Sequence, residues 1–442
     1  MADTIFALSS GAGRAGVAVF RLSGSRVRAV LAAICPPVPE ARLARLRKIK
    51  DPETGEIIDT ALVLFFPAPA SFTGEDVGEI HLHGSLAVIR RFSALLADFP
   101  GLVHAQAGDF TRRAFANGRL DFLDLESLSD LLAAETEVQR KLAVEGSARL
   151  RQLSAGWRDR LIDLCAQTEA LLDFSEEEDV QSHIDSSAEQ NILSLAQEID
   201  SVSEQAGRGE RIRDGFRVAL LGPPNAGKST LLNALAGRDV AIVSPVPGTT
   251  RDILEVHLDL KGLPVIICDT AGMRESHDDL EQEGINRAQR LADRADLRFW
   301  LSPVHDPVAS PDDRFITVIT QIDRYDPAYI SQIITQQNVA APLALSAKTG
   351  EGLDVFLQRM ISELGETFFS HGADLVVAHE RQAQALRRAS QALRSAAHHR
   401  VAQLDLRAED LRQACLHLDG LTGRIQADDV LGAIFARFCI GK

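Results

Sequence analysis

The spacing of apolar and polar positions changes its character along the chain. Up to residue 118, short apolar runs of strand length, Gly16–Leu22 and Ala61–Phe66, are separated by stretches that step like helices, such as Leu86–Leu96. That mixture predicts an α/β unit. From about Leu120 to Ala206, glycine and proline become rare and apolar residues take helical spacing. Leu150, Leu153, Trp157, Leu161 and Leu164 step by 3, 4, 4 and 3, which puts them on one helix face. The acidic run Glu176–Asp179 interrupts this region and reads as a solvated loop or hinge.

Between residues 215 and 365, strand and helix patterns alternate. Phe216–Leu221, Pro264–Cys268, Leu297–Leu301, Phe315–Ile319 and Pro342–Leu345 are compact apolar runs of the buried-strand type. Their alternation with helices predicts a doubly wound, mostly parallel sheet. After Ala373 the helical spacing returns, with Val430, Ile434 and Phe438 stepping by four. Helical sequence on both sides of the α/β stretch predicts an insertion. The expected fold class is therefore α/β plus α: an N-terminal α/β domain over 1–118, a helical domain in two parts over 119–210 and 373–442, and an inserted α/β domain over 211–372.

Composition narrows this picture only at its edges. A chain of 442 residues is too long for one core, and 45% hydrophobic with 25% charged residues is ordinary for a soluble globular protein. No apolar run approaches the roughly 20 residues of a membrane helix. The first ten residues have no basic segment followed by a long apolar one, so no signal peptide is expected. Five scattered cysteines form neither a metal-ligand spacing nor a disulfide framework, which fits a cytoplasmic protein with free thiols. A net charge of −15 argues against coating nucleic acid by charge alone and leaves room for a local basic patch.

The chemistry is concentrated in the α/β stretch. Gly222, Pro223, Pro224, Asn225, Ala226, Gly227, Lys228 and Ser229 match G-x-x-x-x-G-K-[ST] between a strand and a helix expected from Thr230 to Ala236. In such a loop the backbone N–H groups face phosphates, Lys228 reaches the β- and γ-phosphates, and Ser229 offers its hydroxyl to Mg²⁺. Further segments follow in the order of a GTPase. Gly248–Asp252 fits switch I, with Thr249 beside the nucleotide and Thr250 completing the Mg²⁺ shell. Asp269, Thr270, Ala271 and Gly272 end a strand, with Asp269 placed to hold Mg²⁺ through water and the Gly272 amide to face the γ-phosphate. Ser346, Ala347 and Lys348 fit the loop that closes over guanine.

One element departs from the GTPase pattern. Where N-K-x-D is usual, the chain has Thr320, Gln321, Ile322 and Asp323. Asp323 can still accept two hydrogen bonds from the guanine edge, which favours GTP over ATP. Thr320 stands where an Asn normally ties the loops together, and Gln321 where a Lys packs over the base, so weaker guanine binding is the expectation. Met273 follows Gly272 and cannot orient a water as a glutamine would.

With these segments in view, the chain resembles the MnmE (TrmE) family of tRNA-modification GTPases. Asp3–Ile5, Gly13–Arg14, Arg21–Gly24, Ser71–Asp76, Gly108–Thr111 and Arg113–Phe115 resemble the family's N-terminal motifs, and Phe438–Lys442 its ending. The resemblance implies action with the FAD-containing partner MnmG. Together they install an aminomethyl or carboxymethylaminomethyl group at C5 of the wobble uridine of certain tRNAs, with carbon from methylene-tetrahydrofolate. It implies a homodimer through the N-terminal domain and a 5-formyl- or methylene-tetrahydrofolate site made by Arg21, Glu79, Arg119 and Lys442. For Arg21 and Glu79 a surface salt bridge is the plainer alternative. It further implies K⁺ in place of an arginine finger, held by the Asn225 side chain and by the loop Ser244–Thr249 with Ser244, Val246 and Thr249. Lys228 and Glu281 are then the catalytic residues, Glu281 orienting the attacking water; a surface helix carboxylate is the alternative. Cys439 would serve tRNA modification in a manner the residues do not define. A regulatory GTPase switch in ribosome assembly has a similar α/β domain, but usually with a basic RNA-binding appendage. A folate-dependent methyltransferase with an accessory α/β domain is a third reading.

Overall fold

The computed structural model of the chain describes residues 3–11, 13–173, 178–242, 255–269, 292–336, 343–369, 375–399, 403–423, 438 and 441. It divides into two compact units, residues 1–132 with 419–442, and residues 133–418. Among the described residues no helix is long and apolar enough to cross a membrane.

The first unit contains β1 (Thr4–Leu8), β2 (Val17–Ser23), α1 (Val27–Ile34), β3 (Arg45–Lys50), β4 (Ile57–Phe66), β5 (Val77–His83), α2 (Leu86–Asp98), β6 (Leu102–His104), α3 (Asp109–Ala116) and α4 (Phe122–Ala133). Its six strands run in the order β3-β4-β5-β2-β1-β6, antiparallel except for the parallel pair β1–β6. Strand alternation decides the layers. Phe20, Leu22, Ile80, Leu82, Ala61, Val63 and Ile49 point to one face and are buried with Leu31 of α1 and Phe92 and Leu96 of α2. The other face carries Arg21, Glu79 and His81, with Val17, Leu46 and Leu62 left 52%, 66% and 37% exposed.

The second unit opens with α5 (Glu137–Lys141), a π-helical turn (Leu142–Gly146), α6 (Ser147–Asp173), α7 (Glu178–Ser203) and α8 (Ala206–Asp214). Thr136 starts α5 in a capping box with Gln139, two backbone donors being satisfied reciprocally. Leu150, Trp157, Leu161 and Leu164 are buried along α6, as their spacing predicts. The acidic run is not a loop throughout: Glu178 and Asp179 lie in α7, while Glu176 and Glu177 lie outside the described residues.

Then come β7 (Phe216–Leu221), α9 (Lys228–Ala236), β8 (Glu255–Leu260), β9 (Leu263–Asp269), β10 (Leu297–Pro303), β11 (Ile316–Thr320), α10 (Pro327–Gln336), β12 (Leu343–Leu345) and α11 (Leu353–Phe369). The sheet order is β12-β11-β10-β7-β9-β8, parallel except for the β8–β9 hairpin. α12 (Glu380–His398) and α13 (Leu404–Thr422) follow. Helix α12 lies along α7: Ser390 donates to the Ala196 carbonyl at 3.3 Å and Arg394 pairs with Asp200 at 2.6 Å. The chain leaves α8 and returns after α11 side by side, because Arg213 Nη1 donates to the Ala378 carbonyl at 2.7 Å and the Val376 amide to Gln205 Oε1 at 3.3 Å.

Candidate functional site

The phosphate loop hangs between β7 and α9. Gly222 has φ +149°, and a methyl group there would meet the Leu301 carbonyl oxygen at 2.3 Å, so only glycine lets the loop leave the sheet so close to β10. Gly227, at φ +92°, turns the chain into α9, which begins at Lys228 rather than at Thr230. The earlier start matters, because it places the N-terminal turn of the helix, whose dipole favours an anion, at Lys228, Ser229 and Thr230. Lys228 is 9% exposed, and its Nζ donates to the Gly222 and Pro223 carbonyls at 2.8 and 3.0 Å. The ammonium is thus held within the loop. Asn225 takes a left-handed φ of 61°, a conformation Asn tolerates better than most residues.

A cavity of about 530 Å³ opens above this loop, within the range of roughly 300–1,000 Å³ typical of ligand clefts. Its wall runs from Pro224, Asn225, Ala226, Gly227, Lys228, Ser229 and Thr230 to Thr320, Gln321, Asp323, Arg324, Leu345, Ala347 and Lys348. Three segments far apart in sequence therefore converge as the motifs predict. Ser346 Oγ donates to Asp323 Oδ1 at 2.7 Å and fixes that carboxylate. Ser346 is itself held by its amide to the Glu351 carbonyl at 2.9 Å.

The altered Thr320–Asp323 element is bonded to the phosphate loop. Thr320 Oγ1 donates to the Ala226 carbonyl at 2.7 Å in a buried bond, and Gln321 Nε2 donates to the Asn225 carbonyl at 2.8 Å. Two neutral side chains join the Thr320–Asp323 segment to two consecutive carbonyls of the Gly222–Ser229 loop. Thr320 thus makes a tie between the two loops at the position where an Asn is usual. Arg324 lines the same cavity and has no counterpart in the sequence reading; its position next to Asp323 was the available signal.

Asp269 ends β9, in register with Leu220 of β7 and so near the start of the phosphate loop. Its side chain, and Ser244, Val246, Thr249, Thr250, Thr270, Ala271, Gly272 and Glu281, lie outside the described residues, as do Cys439 and Lys442.

In the first unit Arg21 and Glu79 oppose each other directly on β2 and β5. Arg21 Nε donates to Glu79 Oε1 at 2.9 Å, so the salt bridge is present. The pair does more than decorate a surface. The Arg21 guanidinium lies 5.7 Å from the Phe72 ring centroid and 5.9 Å from that of Phe110. Its Nη1 also donates to the Gly441 carbonyl at 3.3 Å, and Ser9 Oγ donates to the same oxygen at 3.1 Å. The residue before Lys442 is thereby brought to Arg21. Arg119 packs on the Ser71–Asp76 segment, where a methyl at Gly74 would come within 3.3 Å of its Cγ, and it lines a hollow of about 260 Å³ with Asp121 and Asp124.

Two family models match the chain: GTP-binding protein TrmE N-terminus over residues 4–119, and MnmE helical domain over residues 123–439. The tRNA modification GTPase MnmE of Azorhizobium caulinodans is 46% identical over 443 residues, covering 100% of this chain and 99% of the relative. The chain belongs to the tRNA modification GTPase MnmE family. The protein of that name from Chelativorans sp. is also 46% identical, over 100% of this chain and 98% of its own length. Another MnmE, from a Methylobacterium species, is 45% identical over the whole of both chains. As a member of this family of GTP hydrolases, the chain carries the G-x-x-x-x-G-K-S loop after β7 and the N-terminal sheet described above.

Proposed function

We propose that this MnmE-family chain hydrolyses GTP to support modification of C5 of the wobble uridine in certain tRNAs, acting with an FAD-containing MnmG partner and a tetrahydrofolate one-carbon donor. What carries the reading is the agreement of a full-length family match with a cavity in which Lys228, Ser229 and Asp323 converge. The domain layout that goes with it is an N-terminal domain over 1–118, a helical domain over 119–210 and 373–442, and an inserted GTPase domain over 211–372.

Residue roles follow from position. The amides at the start of α9 and the Lys228 ammonium receive the β- and γ-phosphates, and Asp323, oriented by Ser346, accepts from the guanine edge. Ser229 and Thr250 would hold Mg²⁺, with Asp269 acting through water; a divalent ion there neutralises charge on the phosphates. For K⁺, the Asn225 main-chain oxygen is engaged by Gln321, which leaves the side-chain amide oxygen as its donor alongside Ser244, Val246 and Thr249. Glu281 would orient the attacking water. A tetrahydrofolate fits the Arg21–Glu79 site because a carboxylate can accept from a 2-amino-4-oxo-pyrimidine edge while Phe72 and Phe110 offer apolar faces; Arg119 and Lys442 would hold its acidic tail. Homodimer formation is supported by the uncovered sheet face with Val17, Leu46 and Leu62.

The test is nucleoside analysis of tRNA from cells lacking the protein. Loss of aminomethyl-type wobble uridines, restored by the wild-type chain and not by Lys228→Ala, is the expected result. Normal modification in the deleted strain would overturn the reading.

A further inference from the structure

The β8–β9 hairpin has two kinds of end. In sequence, β8 starts at Glu255, soon after the proposed switch I at Gly248–Asp252, and β9 finishes at Asp269, the first residue of the Asp269–Gly272 segment, which would serve as a second switch. The hairpin is thus the described element that lies between these two segments in sequence. Besides pairing with β7 and packing on α9, the hairpin contacts the segment that opens the helical part of the same unit.

His257, on β8, is bonded through Nδ1 to Glu135 Oε2 at 2.6 Å, a residue 122 positions earlier and immediately before the Thr136 cap of α5. Glu255, on the same strand face, lies 3.9 Å from His257 Nε2. At the hairpin turn, a methyl on Gly262 would stand 3.0 Å from Val138 Cγ2, so the turn packs on α5 itself. Gln139 of α5 donates in turn to the Arg213 carbonyl at 3.0 Å, at the end of α8, where the chain leaves for β7. Hairpin, α5 and α8 are thus joined by one charged contact and two close ones.

We propose that Glu135 and His257 form a positioning latch, fastening the interswitch hairpin to α5 so that the nucleotide state is felt at the start of the helical segment. The proposal rests on the GTPase reading above and adds a route by which that site acts on the rest of the unit. Neither residue lines the nucleotide cavity, so their part is to position.

The charge state supports this arrangement. Bonding to Glu135, and then to Glu255, raises the imidazolium pKa to about 9 against the lowering effect of burial. Arg217 on β7 and Cys268 on β9 are the other polar groups at the cluster; both act on Glu255, Arg217 by its charge and Cys268 through its Sγ at 3.7 Å. Because the folded pKa is raised, the stabilisation by His257 is fully present below about pH 6.5, falls between pH 6.5 and 9, and is lost above about 9.

The experiment uses the full chain. Amide hydrogen exchange of residues 137–146 is measured with GDP and with GDP plus aluminium fluoride, for wild type, Glu135→Gln, His257→Gln and the double variant. Couplings between sites are typically about 5–150-fold, so a wild-type ratio between the two states of at least about fivefold is expected. Each single variant should abolish most of that ratio, the double should lose no more, and GTP affinity should stay within about threefold of wild type, on the scale of a lost surface pair. In wild type the ratio should fade as pH rises through about 9. A ratio that survives both single variants overturns the latch, as does a wild-type ratio of one. If a variant does not fold, the wild-type pH series decides: a ratio unchanged above pH 9 overturns the proposal. Failure of the wild type to hydrolyse GTP at all would instead remove the GTPase reading beneath it.

Discussion

Replacing Thr320 by Val keeps the shape of the side chain and removes one hydroxyl. In the folded chain Thr320 is 3% exposed, and its hydroxyl is bonded to the Ala226 carbonyl at 2.7 Å. The variant leaves a buried carbonyl short of a donor, which costs about 1–3 kcal/mol. Gln321 still holds the neighbouring Asn225 carbonyl at 2.8 Å, so the two loops remain joined at one point and the lower half of that range is expected. Loss of about 1–2 kcal/mol appears first as a lower urea midpoint with an unchanged slope. It also reduces the fraction of molecules in which the base loop and phosphate loop are aligned, and a cost of roughly 1.4 kcal/mol corresponds to tenfold in affinity. GTP binding, measured by fluorescent-nucleotide titration, should therefore weaken by up to about tenfold, with GTP still preferred over ATP because Asp323 and Ser346 are untouched. A Thr320→Val protein with wild-type midpoint and wild-type GTP affinity would refute the tie. So would a variant that lost base preference while keeping its stability.

Lys228→Ala should abolish tight GTP binding, since Lys228 is the cation held within the loop; titration showing wild-type affinity would remove the phosphate cradle. Asp323→Asn should erase the preference for GTP over ATP in competition binding, because a two-point acceptor becomes a mixed donor and acceptor. On the proposed potassium role, single-turnover hydrolysis should be fast in K⁺ and slow in Na⁺ at equal ionic strength. Glu281→Ala should slow turnover with affinity kept; equal rates in the two salts would end the cation mechanism, whose finger-like counterparts contribute about 10³–10⁵. Leu46→Glu with Leu62→Glu places charge on the uncovered sheet face and should convert dimers to monomers by light scattering at micromolar concentration, with the helical content of the chain unchanged.

Much of the architecture was legible because buried parallel strands are apolar on both faces. Phe216–Leu221 is read from sequence with the bounds it has in the fold, and Leu297–Leu301 and Phe315–Ile319 fall within one or two residues of β10 and β11. Strand β8 escaped because it is an edge strand, paired on one side only: Val256, Leu258 and Leu260 alternate with Glu255, His257 and Asp259, and no apolar run results. The phosphate loop was legible because its glycines answer to backbone geometry, which any chain must respect. The tie from Thr320 was not, since it depends on which carbonyl 94 residues away the hydroxyl meets. Likewise nothing local in Glu135 or His257 announces that they touch. In the first unit the motifs pointed to Arg21 and Glu79, but only the register of β2 against β5 made them neighbours.

The side-by-side departure and return of the chain around the α/β part has a consequence for synthesis. Ser390 of α12 bonds to Ala196 of α7 across a separation of 194 residues. At roughly 5–20 residues per second on the ribosome, α7 emerges about 10–40 s before the helix that covers it. During that interval the intervening sheet can complete itself, because all of its strands lie between the two helices. The apolar stripe of α7, with Ile192, Leu195 and Ile199 fully covered in the finished chain, is meanwhile a waiting surface for chaperones or for a neighbouring nascent chain.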